Sequence, residues 1–143
     1  MADILQIVVD TNVLIAAFRS KRGAANRLIN ALDDSRWQIN LSTPLLLEYE
    51  DVMKRPEMAS ILSRSEVDIF LDGLCSISQY CEIFFLWRLL SKDPKDAMII
   101  ELAVRANADF LITYNPKDFV ALVDFGVKLI SPREFLRFVG DLT

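Results

Sequence analysis

Residues 4–15 read Ile4-Leu5-Gln6-Ile7-Val8-Val9-Asp10-Thr11-Asn12-Val13-Leu14-Ile15. A short, almost wholly apolar run stops at an aspartate, and the chain then takes up helical periodicity. An apolar run without polar alternation is what a strand shows when both faces of its sheet are covered. Leu111-Ile112 repeats the pattern late in the chain. Strands are predicted over 4–9, 37–41, 110–113 and 127–130, with a weaker fifth over 82–86. Helices are predicted over 13–18, 24–33, 45–54, 65–79, 96–107 and 132–139. Strands separated by helices favour a three-layer α/β/α fold around a central, mainly parallel sheet of four to five strands. Such sheets take ligands beyond the carboxyl ends of their strands, where the strand order reverses. Asp10 and the loop 113–118 both follow predicted strands and belong at that edge.

Several element ends have local causes. Thr43-Pro44 offers a cap followed by a proline in the first helical turn. Ser131-Pro132-Arg133-Glu134 adds capping-box spacing to that arrangement. Ser65 is the expected cap of the helix that buries Val67, Ile69, Phe70 and Leu74, and Asn107 is a stop before Phe110.

The 143 residues fit one domain, 1–143, and 52% hydrophobic with 25% charged residues is a core-forming composition. No apolar run approaches the roughly 18 residues of a membrane span. The start, with Asp3 running into a strand, does not look like a signal peptide. Cys75 and Cys81 lie in or beside one helical segment without ligand-like neighbours, so both are read as reduced thiols of a cytoplasmic protein. A net charge of −4 argues against a nucleic-acid binder that relies on bulk electrostatics. Arg19, Lys21, Arg22 and Arg27 nevertheless form a basic cluster with no acid between them. They suit a nucleic-acid backbone, and equally a solvated loop and helix face.

Three acids sit in apolar surroundings: Asp10, Glu48 and Asp96. Carboxylates that approach a core pair, protonate or bind a metal. Asp10 at a strand-to-helix turn also suits a helix N-cap, a task that Thr11 or Asn12 can take over. Glu48 borders a helical stripe through Leu45, Tyr49, Val52 and Met53, while Glu50 and Asp51 point further away. On the helix of Asp96, Glu101 and Arg105 mark the expected wet face, and Asp96 lies almost opposite, in line with Ile99, Ile100 and Ala103. The helix dipole explains an acid in that first turn but not its direction. Asp93, before Pro94, reads as a turn or cap residue. In the loop after the fourth strand, Asn115 and Asp118 are oxygen donors, and Thr113 is placed to hydrogen-bond a carboxylate or a metal-bound water. The chain has no histidine. Oxygen ligands alone suit Mg²⁺ or Mn²⁺, and the chemistry of such a cluster is phosphodiester hydrolysis.

The ordered set Val8-Val9-Asp10-Thr11-Asn12-Val13-Leu14-Ile15, Leu47-Glu48-Tyr49, Lys95-Asp96-Ala97-Met98-Ile99-Ile100-Glu101-Leu102-Ala103 and Ala108-Asp109-Phe110-Leu111-Ile112-Thr113-Tyr114-Asn115-Pro116-Lys117-Asp118-Phe119 resembles the PIN-domain family of metal-dependent ribonucleases. The resemblance implies that Asp10, Glu48 and Asp96 are the catalytic, metal-coordinating acids, with Thr11, Asn12 and Thr113 as supporting polar residues. It implies an RNA substrate, and the basic cluster, residues such as Arg19, Lys21 and Arg22, is then placed to grip the RNA backbone. Many small bacterial members are toxins blocked by an antitoxin protein, and the size and layout here look like that group. One position departs from the pattern. The family often has a fourth acid two residues after the threonine matching Thr113, where this chain has the uncharged Asn115. Either Asp118 substitutes or a second metal binds weakly.

Two other functions compete. An aspartate-nucleophile phosphatase would want a second Asp two residues after Asp10, where Asn12 stands. A catalytically weak RNA- or protein-binding module fits Asn115 and the negative charge. The run Phe84-Phe85-Leu86-Trp87 suggests a self-associating surface, hence a homodimer, or else a buried strand and helix start.

Overall fold

The computed structural model describes residues 3–84, 91 and 93–142. Five parallel strands form one sheet: β1 (Leu5–Val9), β2 (Trp37–Leu41), β3 (Gln79–Tyr80), β4 (Phe110–Ile112) and β5 (Lys128–Ile130). Their order is β3-β2-β1-β4-β5. The chain first builds outward from β1 to β2 and β3, then returns to lay β4 against the other side of β1. The switch in strand order therefore falls between β1 and β4, where Val9 registers with Ile112 and Ile112 with Ile130.

Among the described residues, five helices lie between strands, α1 (Thr11–Arg19), α2 (Ala24–Ile29), α3 (Thr43–Met53), α4 (Arg64–Ile77) and α5 (Pro94–Arg105), and α6 (Pro132–Phe138) follows β5. A 3-10 turn at Pro56–Met58 and a kinked 3-10 segment at Pro116–Phe125 complete the described elements. Contacts between the helices set the layers. Helices α1 to α4 lie over one face, joined by α6, which packs on α2. Helix α5 and the segment Pro116–Phe125 pack together over the other. Both faces of β1 are thus covered, and Ile7, Val8 and Val9 are fully buried. Each is worth about 1.5–3 kcal/mol relative to exposure. Trp37 and Phe110 both meet Phe135 edge-on, with ring centroids 5.3 and 5.6 Å away, which locks α6 onto the sheet.

The caps refine the sequence reading. The capping box at Ser131 and Glu134 forms as expected. Helix α3 is capped by Ser42, whose Oγ accepts from the Leu45 N–H at 3.3 Å, and Thr43 is its first helical residue. Helix α4 is capped by Ser63, not Ser65, because only Ser63 lies three residues before Glu66 and completes a reciprocal box. Asn107, at φ 51°, closes a Schellman motif after α5. Ala108 N–H bonds Ala103 C=O at 2.9 Å and Asn107 N–H bonds Val104 C=O at 3.1 Å.

Two expectations are corrected. The fifth strand is Gln79–Tyr80, starting at the last residue of the range predicted as helix, and not 82–86. Residues 81–84 form no regular element, and 85 and 86 lie outside the described residues. Helix α5 has no wet face at Glu101. Residues 97–103 are all buried, and Glu101 is fully so. Its charge is tolerated because its carboxylate accepts from the Phe84 N–H and from Arg105 Nε at 2.9 Å. The Arg105 guanidinium in turn lies 4.7 Å from the Phe84 ring centre.

Candidate functional site

The site grows from the end of β1. Asp10 occupies the N-cap position of α1 yet does not cap it with its side chain. The backbone explains where it goes instead. Asp10 N–H bonds Ile112 C=O at 2.9 Å, extending the β1–β4 ladder by one residue and turning the carboxylate toward β4. There Thr113 Oγ1 donates to Asp10 Oδ2 at 2.7 Å. Thr113 Oγ1 itself accepts from the Asn115 N–H at 2.9 Å, so the hydroxyl proton is aimed at the carboxylate. Asp10 is 8% exposed and Thr113 is 1% exposed. Asn12 Oδ1 accepts a long bond, 3.4 Å, from the Tyr114 N–H, a second tie between the two strand-end loops. Thr11 Oγ1 is buried and has no hydrogen-bond partner among the described residues.

Glu48 arrives on α3, after β2. Its neighbour Tyr49 is wholly buried and donates its hydroxyl to the Val9 carbonyl, one residue before Asp10. That bond fixes α3 against the end of β1 and sets the approach of Glu48 to Asp10. Burial, with the Asp10 charge nearby, pushes the Tyr49 phenol well above its ordinary range. Asp96 arrives from α5, in its first turn. Asp93 caps that helix by accepting from the Lys95 N–H at 2.9 Å. Lys95 Nζ lies 3.4 Å from Glu48 Oε1 and ties α5 to α3.

Electrostatics bind the four acids into one field. Burial pushes the Asp10 carboxyl up. The Thr113 hydroxyl and the Thr11 N–H oppose this, and the charges of Asp118 and Glu48 add to the rise. Asp96 is pushed up to about 6, first by burial, then by Asp93, Asp118 and Asp10. Acids just after β1, on α3, on α5 and on the segment Pro116–Phe125 thus repel one another at the carboxyl edge of the sheet. An all-oxygen donor set, mutual repulsion and an unpartnered threonine hydroxyl beside Asp10 fit a hard divalent cation. Among the described residues, no three acidic side chains are grouped closely enough to chelate one as placed. Glu48 is instead held by Lys95.

The structure therefore brings Asp10, Glu48, Asp96, Asp118, Thr11, Asn12, Thr113 and Asn115 to one edge. Asn115 contributes its backbone N–H. Arg19, Lys21 and Arg22 are exposed and, among the described residues, join no ion pair, while Arg27 Nη2 donates to the Asp141 carbonyl at 2.9 Å. Two further residues bear on the site. In sequence Tyr49 reads as core, and the hydroxyl in an apolar stripe beside Glu48 is the signal of its second role. Lys95 shows no signal beyond adjoining Asp96. Both cysteines are free.

Comparison with known proteins agrees with this geometry. The sequence matches the PIN domain over residues 6–117, most of the chain. The chain belongs to the PIN-domain family. PIN domains are generally nucleases, hydrolases of nucleic acid. In three dimensions the PIN domain here is similar to a chain in the crystal structure of VapBC2 from Rickettsia felis bound to a DNA fragment from their promoter. The TM-score is 0.59 at 16% identity, covering 87% of this chain and 98% of that one. At that identity the likeness shows the fold alone. No curated protein matches the chain.

Proposed function

We propose that this PIN domain is a metal-dependent endoribonuclease that hydrolyses RNA phosphodiester bonds. Asp10, Glu48 and Asp96 hold Mg²⁺ or Mn²⁺, with Asp118 in the same field. Thr113 orients Asp10, and Thr11, Asn12 and Asn115 support the strand-end loops. When bound, the ion supplies a lowered water pKa and a positive charge for the phosphoryl oxygens. Arg19, Lys21 and Arg22 draw in the RNA backbone. The observation that carries this reading is that acids from four separate segments share the strand-order switch, where Asp118 and Glu48 push the Asp10 carboxyl up and Asp118 and Asp10 push that of Asp96 up.

The domain is further read as the toxin of a toxin–antitoxin pair in the cytoplasm. Its layout, its likeness to a VapBC2 chain and the lack of any described helix able to cross a membrane support that reading. Phe84, 55% exposed, supports self-association, while Phe85, Leu86 and Trp87 lie outside the described residues.

The test is cleavage of a labelled RNA with Mg²⁺ or Mn²⁺. Chelator, Asp10→Asn and Asp96→Asn should each abolish it, the variants keeping wild-type circular dichroism. Wild-type rates in both variants would remove the assignment. A second reading, RNA or protein binding without turnover, is favoured by Asn115 and by the Lys95–Glu48 pair. Tight RNA binding with no metal-dependent products would select it.

A further inference from the structure

The carboxyl edge holds five carboxylates, Asp10, Glu48, Asp93, Asp96 and Asp118, that act on one another. Among the described residues, one cation pairs with any of the five: Lys95, on Glu48. Arg55 also feels the charge of Glu48, but it is committed to Asp51 at 2.9 Å. Among the described ion pairs, that of Lys95 is the longest and its cation is the most exposed. Its pair is long, 3.4 Å, where the other described pairs lie at 2.6–3.0 Å. Its side chain is 53% exposed while its Glu48 partner is 14% exposed. A long bond to an exposed ammonium on a flexible stem lets Lys95 turn toward a second anion at the site while it stays near Glu48.

A phosphodiester entering this edge meets a strongly negative field. Two metal ions clamp both the attacking and the leaving oxygen where acids suffice to hold them. Here the position two residues after Thr113 is the neutral Asn115, whose described role is a backbone N–H to Thr113. The charge for a second ion is missing on that side. Lys95 supplies a compact positive charge in the first turn of α5, where the helix dipole also favours anions.

We propose that Lys95 is the second cation of this site, resting on the nuclease reading above: it neutralises Glu48 in the metal-free protein and binds a non-bridging phosphate oxygen when RNA is present. It serves where a second metal ion would otherwise be needed, and the site holds one divalent ion. No bond is made or broken at Lys95. It stabilises negative charge on the transferring phosphoryl group.

Wild type, Lys95→Gln, Lys95→Arg and the control Lys128→Gln test this. Lys128 registers with Phe110 at the opposite end of the sheet. Calorimetry with Mn²⁺ should show one ion in wild type, and one ion bound at least as tightly by Lys95→Gln, since a competing charge is gone. Anisotropy of a fluorescein-labelled RNA in EDTA should show binding weakened about fivefold to tenfold in Lys95→Gln and largely kept in Lys95→Arg and Lys128→Gln. At saturating Mn²⁺ the kcat of Lys95→Gln should fall about tenfold to a hundredfold, with partial recovery in Lys95→Arg. A merely structural pair predicts none of these. The inference fails if wild type binds two ions of similar affinity, or if Lys95→Gln cleaves at the wild-type rate. It also fails if Lys95→Gln binds Mn²⁺ more weakly, which would make Lys95 a positioning residue for Glu48. A wild-type protein that neither binds Mn²⁺ nor cleaves removes the nuclease reading itself, and this inference with it.

Discussion

Thr113 Oγ1 donates to Asp10 Oδ2 across 2.7 Å and joins the ends of the two strands that flank the switch in strand order. The same oxygen accepts from the Asn115 N–H, so one hydroxyl sets the loop after β4 and the carboxylate after β1 together. This is why Asp10, at an N-cap position, leaves α1 without a side-chain cap.

Thr113→Val keeps the shape and removes the donor. The Asp10 carboxylate then loses a bond that lowers its pKa, and that pKa rises further. An acid whose folded pKa is raised costs stability above that pKa and nothing below its unfolded value. Unfolding titrations should therefore show a loss of about 1–3 kcal/mol near pH 8 that shrinks toward pH 4. A loss that is constant across that range would reject the mechanism. If the domain is a metal-dependent nuclease, cation affinity should fall about tenfold to a hundredfold as well.

Asp96 and Asp10 make the metal-free protein sensitive to pH in one direction. Asp96 titrates at about 6 in the fold against 3.8 unfolded. Its penalty is absent below the unfolded value, grows as pH rises through about 6 and is complete above it. Asp34, Glu66, Glu134 and Asp141 are shifted down, so their contributions are already in place above the ordinary carboxylate range. In EDTA, Tm should accordingly fall between pH 5 and pH 8, and Asp96→Asn should flatten that slope and raise Tm at pH 8. A metal-free Tm that climbs over the same interval would contradict the arrangement of acids.

The parallel sheet was legible because Val8-Val9 and Leu111-Ile112 lack polar alternation, which only two-sided burial explains. The acids were legible because each interrupts an apolar context. What stayed hidden depends on partners distant in sequence. Strand β3 is two exposed residues, and its register, Asn40 with Gln79 and Leu41 with Tyr80, is set by β2 rather than by any periodicity. Glu101 reads as a solvated charge until the Phe84 N–H is brought to it. The true caps, Ser42 and Ser63, each stand within two residues of a competing hydroxyl, and backbone geometry decides between them. Lys95 meets Glu48 only because α3 and α5 pack side by side.

Tyr49→Phe isolates the bond between α3 and β1. The ring stays in place, but the Val9 carbonyl loses its side-chain donor in a buried setting. Stability should drop by about 1–2 kcal/mol. Because Tyr49 adjoins Glu48, Mn²⁺ affinity should fall severalfold in Tyr49→Phe and not in Ile39→Val, a comparable core change on β2. A cycle with Glu48→Gln should be non-additive, with Tyr49→Phe adding little in that background. Additive losses would reduce Tyr49 to a packing residue.

Arg19, the last residue of α1, and Lys21 and Arg22 just beyond it are exposed and, among the described residues, hold no ion pair. Neutralising them therefore breaks no described ion pair, and Tm should hold within about 2 °C, as for surface changes generally. If they contact RNA phosphates, each contact releases counterions, and a single-stranded ligand loses about 0.7 in the slope of log K against log salt per contact. The triple glutamine variant should bind RNA more weakly at low salt with a slope reduced by about two. Mn²⁺ affinity should not change, since these residues are not among the charges that shift Asp10 or Asp96. An unchanged slope would return the cluster to a solvated face and move the search for the RNA track to other basic residues.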